Sequence, residues 1–255
     1  MSANRIRSLG TTLVLLAALF SLAACGGGER ERKFVARDVG ALYNMGKDRL
    51  HSSRFTEAAA FFDEVERQHP YSQWARRAQL MSAYSYYQAN KYDDAILAAE
   101  RFLALHPGNK DAPYAYYLIA ISHYEQIIDV QRDQKSTEKA LAALEEVVRR
   151  YPSTAYAEDA RLKIDVTRDH LAGKEMEIGR FYQRQGQYLA AVIRFRRVLE
   201  EYETTSHVPE ALHRLAESYL ALGVREEAVK AAAVLGYNFP DNKWYQRCYK
   251  LLHKS

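Results

Sequence analysis

Residues 55–70 read FTEAAAFFDEVERQHP, and this stretch decides how the rest of the chain is read. It opens on an aromatic (Phe55), places Glu57-Ala58 at the head of an apolar helical pattern, and stops at Pro70, twelve residues after Ala58. Proline ends a helix because it has no amide hydrogen for the ladder and disfavours helix in the residue before it. The phrase recurs. Asp94-Ala95, Glu138-Lys139-Ala140, Ala190-Ala191 and Glu227-Ala228 each open a similar pattern. Pro107, Pro152 and Pro240 stand twelve residues after Ala95, Ala140 and Ala228, whereas Glu203 holds that place after Ala191. Twelve residues before four of the five alanines stands a small residue (Gly46, Ala83, Gly179, Ala216), and Ala140 has its counterpart, Ala120, 20 residues back. The aromatic recurs at Tyr92 and Tyr188 and is replaced by Thr137 and Arg225. Upstream, Val39, Leu42, Tyr43, Gly46 and Leu50 follow the i, i+3, i+4, i+7 stripe of an amphipathic helix. Each unit is thus a pair of helices. A small residue on the first helix lets the second approach, the alanine sits at that crossing, and the aromatic fills the wedge near the turn. Asn90, Gly186 and Gly223 fall in the turns between helices, where left-handed backbone suits them.

These features resemble the tetratricopeptide repeat, which stacks helix pairs into a solenoid. The fold expected is all-α, a right-handed superhelical solenoid of about five helix pairs covering residues 39–240. Successive alanines lie 37, 45, 51 and 37 residues apart, so the third unit carries 8 extra residues and the step to the fourth carries 14. The 8 fall in Ile127–Gln134 and predict a protruding loop. The 14 fall between Pro152 and Gly179 and add about 21 Å of helix in phase, which predicts one long helix from about Thr154 to Gln185, with Gly173 as a point of bending. A separate helix ending near His170 is the competing reading.

The composition agrees with a helical body. The chain has 255 residues, 48% hydrophobic and 27% charged, with only 12 Gly and 6 Pro, and a mean hydropathy of −0.42. Disordered, collagen-like and multi-span membrane classes are excluded, and two Cys make no disulfide scaffold. Residues 1–24 read as a signal peptide. Arg5 and Arg7 form its basic start, Leu9–Ala24 is an apolar run too short to span a bilayer comfortably, and Leu22-Ala23-Ala24 precede Cys25. This arrangement resembles the bacterial lipoprotein signal, in which the cysteine is acylated after cleavage. Cys25 is therefore the expected lipidation site, and residues 25–36, including GGGERERK at 26–33, read as a lipidated flexible tether. An ordinary signal peptide with a chance cysteine, or a plain anchor, are the alternatives. Gly26 in place of Asp points, by resemblance to the sorting rule, to the outer membrane. Without Arg5 and Arg7 the chain holds 34 basic and 32 acidic side chains, a charge of +2 that does not suggest a nucleic-acid binder. Cys248 reads as a buried thiol.

The eight His include no metal-ligand spacing, and no phosphate-binding glycine loop appears. Ser, His and Asp are scattered over helix surfaces. The expectation is a non-enzyme without a cofactor other than the covalent lipid on Cys25. What remains is a binding surface. The first helices of such a solenoid line its concave face, and registering on the small residue turns Tyr43, Lys47, Arg77, Tyr84, Tyr87, Tyr114, Tyr117 and Tyr124 toward it. Tyrosine joins apolar area to a polar tip at little entropic cost, so these are candidate substrate-binding residues. The alternative is that the rings pack between repeats. In the fourth unit Arg180 and Arg184 share a helix face, as do Arg194 and Arg197, with Arg196 beside them. They are candidates for docking an acidic partner through bidentate contacts, or a solvated face balanced by Glu200 and Glu201.

Longer stretches resemble one family. They are Leu22–Cys25, His69-Pro70-Tyr71-Ser72, Arg132-Asp133-Gln134, Arg149–Ser153, Tyr156–Ala160, Lys174-Glu175-Met176 to Phe181-Tyr182, and Tyr188–Phe195. Together they are similar to the BamD (ComL) family of outer-membrane assembly lipoproteins across the mature chain. The resemblance implies a non-enzymatic subunit of the machinery that inserts β-barrel proteins, anchored on the periplasmic face of the outer membrane. Its implied partners are unfolded outer-membrane proteins, a BamA-like core barrel subunit met through its periplasmic domains, and other assembly lipoproteins. Residues 37–125 would receive substrate, 126–255 would dock partner subunits, and Arg194, in Ala191-Val192-Ile193-Arg194, is the single docking residue the motif carries over. A repeat lipoprotein serving cell-wall or secretion machinery is the other reading.

Overall fold

Eleven helices and no strand make up the described residues, 37–127 and 134–254 of a computed structural model. They are α1 (Val39–His51), α2 (Phe55–Gln68), α3 (Gln73–Gln88), α4 (Tyr92–Leu105), α5 (Ala112–Tyr124), α6 (Lys135–Arg150), α7 (Ala155–Arg184), α8 (Tyr188–Glu201), α9 (Val208–Ala221), α10 (Arg225–Asn238) and α11 (Lys243–Lys254). Cys25, the signal peptide and the tether lie outside the described residues, as does the centre of the extra loop at 128–133. That loop is flanked by α5 and α6 as the spacing predicts.

Local chemistry explains the boundaries. Asp38, Ser72 and Thr154 cap α1, α3 and α7, each carrying a side-chain oxygen that accepts a bond from an otherwise orphaned first-turn amide. Asn90, Gly186 and Gly223 take positive φ, 57°, 72° and 78°, as their residue types foretold. Ser53 does so as well, at 56°, although serine advertises nothing of the kind. It holds the first unit's equivalent place, five residues before Ala58. The even helices from α2 to α10 stop two residues before the recurring position, including α8, where Glu203 replaces proline. The residue that follows each of them bears a ring: His69, His106, Tyr151, Tyr202 and Phe239, with φ between −132° and −137°. The stop is therefore shared by a ring-bearing cap and a proline, and the fourth unit keeps the first without the second.

The crossings follow the expected geometry. Ala58, Ala95, Ala140, Ala191 and Ala228 are fully buried, as are Ala83, Ala120 and Ala216. At Gly46 a Cβ would meet Phe62 at 2.7 Å, and at Gly179 one would meet Phe195 at 2.5 Å. One turn past the key alanine the units carry Phe62, Ala99, Leu144, Phe195 and Ala232. The first helix answers with glycine where that residue is Phe and with alanine where it is smaller. The largest ring on the second helix is thus met by the smallest residue on the first.

Each helix packs on its neighbours in sequence, and the odd helices also touch one another in succession from α1 to α11, whereas among the described residues no even helix reaches another. The odd helices form the inner row. Helix α7 runs 30 residues, about 45 Å, between the caps Thr154 and Gln185, and passes through Gly173 without a break. The reading that ends a helix near His170 is thereby set aside. Its first half lends Ala160 and Ile164 to a cluster with Ala120, Leu144 and Val147. Its second half lends Ala172 and Met176 to the largest cluster, with Val192, Phe195 and Leu215. Helix α11, beyond the repeats read from the sequence, takes the next place in the inner row and buries Cys248, whose thiol burial pushes up to about 11. The division proposed at 125/126 falls in the connection between α5 and α6, which pack directly together.

Candidate functional site

The inner row carries two aromatic groups. On α1, Tyr43 packs against Phe62 at 5.4 Å and Trp74 at 4.8 Å. Burial raises its phenol above the usual value, opposed by the guanidinium of Arg77. Lys47 on α1 and Arg77 on α3 are exposed. The second group is larger. Tyr84 and Tyr87 on α3 join Tyr114 and Tyr117 on α5 around Leu118 and Ile121. Tyr156 on α7 extends the series, 5.5 Å from Tyr114 and 5.2 Å from Tyr117. The Tyr117 hydroxyl donates to Asp159 Oδ2 at 2.6 Å, and Lys163 Nζ lies 3.0 Å from Asp159 Oδ1 and 5.5 Å from the ring of Tyr124. Tyr87 donates to Glu125 at 3.4 Å and faces Tyr92 at 5.9 Å. The tyrosines of both groups are half-buried. They pack between repeats, as the alternative weighed from the sequence had it, and remain partly exposed to solvent.

Burial, with Glu125 nearby, raises Tyr87 to about 12, and burial drives Tyr114 and Tyr117 further up. At neutral pH these tyrosines are therefore neutral hydroxyls. Asp159 is different. Burial works to raise its carboxyl, but the bonds from Tyr117 and Lys163 outweigh that and hold it below the usual aspartate range. A carboxyl depressed on folding contributes stability above its unfolded value, near 3.9, and loses it as pH falls through the folded value. Asp159→Asn should consequently lower the urea midpoint at neutral pH and flatten its decline below about pH 4. A parallel decline in both proteins would remove Asp159 from that titration.

Tyr156, Asp159 and Lys163 escaped the sequence reading. They stand at i, i+3 and i+7 on α7, one face of a helix, but registering the fourth unit on Gly179 left the first half of α7 out of the inner row.

The arginines of the fourth unit do not form one open patch. Arg194 and Arg197 on α8 converge on Glu175 of α7, with Nη1 of each at 3.1 and 3.2 Å from its two carboxylate oxygens. Glu175 is only 8% exposed. Arg197 also holds Glu201 and Arg196 holds Glu200, each at 3.0 Å, as the balanced-face reading anticipated. Arg180 pairs with Glu210 of α9 at 3.3 Å, while Arg184 is exposed at the end of α7. Arg194 and Arg197 keep about a third or more of their side chains in solvent, so each can hold Glu175 and still present its outer nitrogens. Glu175 and Glu210 were not paired with these arginines in the sequence reading, since they lie on other helices and only packing brings them near.

Among the described residues no group of His, Cys, Asp and Glu could hold a metal ion, and no helix is long and apolar enough to cross a membrane. Stacked helix pairs, with rings along an inner row and guanidiniums held by a buried carboxylate, define a helical-repeat protein of the tetratricopeptide type. A family model described as outer membrane lipoprotein, YfiO, matches residues 36–235. The chain is 55% identical over 244 residues to the outer membrane protein assembly factor BamD of Caulobacter vibrioides, covering 95% of this chain and 79% of that one. It is 43% identical to the protein of that name from Rickettsia prowazekii, covering 93% and 96%, and 33% identical to the one from Neisseria meningitidis, covering 83% of each. The chain belongs to the BamD (YfiO) family of outer membrane lipoproteins, whose curated members are named for assembly rather than for catalysis.

Proposed function

We propose that this protein, an outer-membrane protein assembly factor by family, acts as a non-enzymatic subunit of the β-barrel assembly machinery. It binds unfolded outer-membrane proteins along the inner row of α3, α5 and α7 and docks a BamA-like core subunit through α7 and α8. A lipid on Cys25 anchors it to the periplasmic face of the outer membrane. Other assembly lipoproteins complete its set of partners. The observation that carries this reading is the continuous series of half-buried tyrosines from Tyr84 to Tyr156.

An unfolded barrel strand exposes its backbone and alternating aromatic side chains. Neutral phenols offer it a ring edge at each step, and the hydroxyls of Tyr87 and Tyr117, whose protons go to Glu125 and Asp159, can still accept from its amides without demanding a particular sequence. Because every ring in the series already has protein contacts, it is held in place before substrate arrives, and little side-chain entropy is lost on binding. The arginines beside Glu175 supply oriented guanidinium edges for a carboxylate on the core subunit. Photo-crosslinking residues placed at Tyr84 and Tyr117 should capture nascent barrel proteins, and one at Arg194 should capture the core subunit. Capture at Arg194 with none at either tyrosine position would end the groove assignment and leave the docking one standing.

A further inference from the structure

Helix α11, the last of the described helices, has an unusual face. Its cations fall at Lys243, Arg247 and Lys250, spaced i, i+4 and i+7, and α11 contains no Asp or Glu. That spacing lines one side of a helix over about 10 Å. The opposite side is fastened to the body. Cys248 is fully buried, Tyr245 covers Gly236 so closely that a Cβ there would meet its ring at 2.5 Å, and Trp244 lies 5.3 Å from His213. Arg225 donates to the carbonyl of Leu252 at 3.0 Å and ties down the last turn.

Several outward cations of the repeats are paired with carboxylates, whereas the outward face of α11 has no such pair among the described residues. Arg101 bridges Asp63 and Glu66, Arg168 meets Glu145, Arg180 meets Glu210, and Arg194 and Arg197 share Glu175. Lys243 and Arg247 have instead only the ring of Trp244, at 5.5 and 4.7 Å, and among the described residues neither they nor Lys250 have a carboxylate partner. Tyr249 on α11 is 54% exposed, and Tyr237 at the end of α10 is 88% exposed. A helix that merely capped the solenoid for solubility would carry charges of both signs. A single-sign stripe on a helix that also exposes a tyrosine has the chemistry of the membrane interface, where ammonium and guanidinium groups meet lipid phosphates and phenols sit at headgroup level.

We propose that the outer face of α11 is an electrostatic contact for an anionic phospholipid surface, separate from the anchor at Cys25. Straight, convex and evenly charged, it suits a plane of headgroups better than the carboxylates of a folded protein, which call for oriented pockets such as that around Glu175.

The test uses the mature chain carrying Cys25→Ser, so that no acyl group contributes, in sedimentation with phosphatidylcholine vesicles made with or without phosphatidylglycerol. The chain should bind the anionic vesicles, and added salt should release it. Replacing Lys243, Arg247 and Lys250 together by Gln should weaken that binding by about 100-fold, while the same replacement of the exposed Arg54, Arg76 and Lys110 should change it little. The unchanged thermal melt expected of the α11 variant separates lost charge from lost fold. Equal binding to both vesicles, or equal binding by both triple variants, overturns the proposal. It is also overturned if the α11 variant loses a protein partner while its vesicle binding stays intact. None of these outcomes depends on barrel-protein capture by the groove.

Discussion

Gly179→Ala will destabilise the protein by about 1–3 kcal/mol, the reverse of what the substitution does in an ordinary helix. On propensity alone it would gain about 1 kcal/mol. Here the added methyl would lie 2.5 Å from Phe195 Cε1, 2.8 Å from Cδ1 and 2.9 Å from Cζ. Phe195 is fully buried, so its ring has no free space into which to turn, and overpacking outweighs propensity. The repeats contain the remedy. Ala120 shares a cluster with Leu144, and Ala83 one with Ala99, so an alanine on the first helix is tolerated where the second offers less than Phe. Phe195→Leu should therefore relieve the clash, and the double variant should lose less than the sum of the two single losses. Urea midpoints of the four proteins decide it. A midpoint unmoved by Gly179→Ala would mean that the close approach of α7 and α8 is not what the glycine provides.

Arg194→Glu should abolish co-purification with the BamA-like subunit and also lower stability, by about 2–3 kcal/mol. The second effect follows from Glu175. Removing one partner of a buried ion pair costs about 3–5 kcal/mol, here reduced because Arg197 stays at 3.2 Å and Arg194 is a third exposed. The reversed charge then adds repulsion. Lost docking in this variant alone is thus ambiguous, and Glu175→Gln resolves it. If Arg194 touches the partner, freeing it from Glu175 leaves docking in place, while Arg194→Glu removes it at a temperature where both variants remain folded. If both variants lose docking to the same degree, the three residues set the seating of α8 and the contact lies elsewhere.

Much of this architecture is legible in the sequence because a repeat states each rule several times. The alanine crossings, the glycines opposite Phe62 and Phe195 and the positive-φ turns at Gly186 and Gly223 all follow from spacing and residue size. So does the 30-residue α7, since an in-phase insertion of 14 residues continues a helix rather than breaking it. Legibility ends where the outcome depends on contact across helices. Ser53 adopts left-handed backbone because the turn into α2 requires it and not because serine prefers it. Glu175 is separated from Arg194 by 19 residues and from Arg197 by 22, and only the packing of α7 on α8 joins them. Tyr156 entered the aromatic series because the first half of α7 holds a place in the inner row that counting from Gly179 had skipped. Helix α11 carries no proline or alanine mark of the repeat and was missed for that reason.

The length of α7 has a mechanical consequence. Tyr156, in its first turn, belongs to the aromatic series, and Glu175, about 28 Å further along, holds the arginines of α8. An unbroken rod of hydrogen-bonded backbone joins them, gripped by one apolar cluster near each end. Such a rod transmits tilt instead of absorbing it. A chain wedged against Tyr117 and Tyr156 would act as a load on one arm of a lever whose other arm carries the arginines around Glu175.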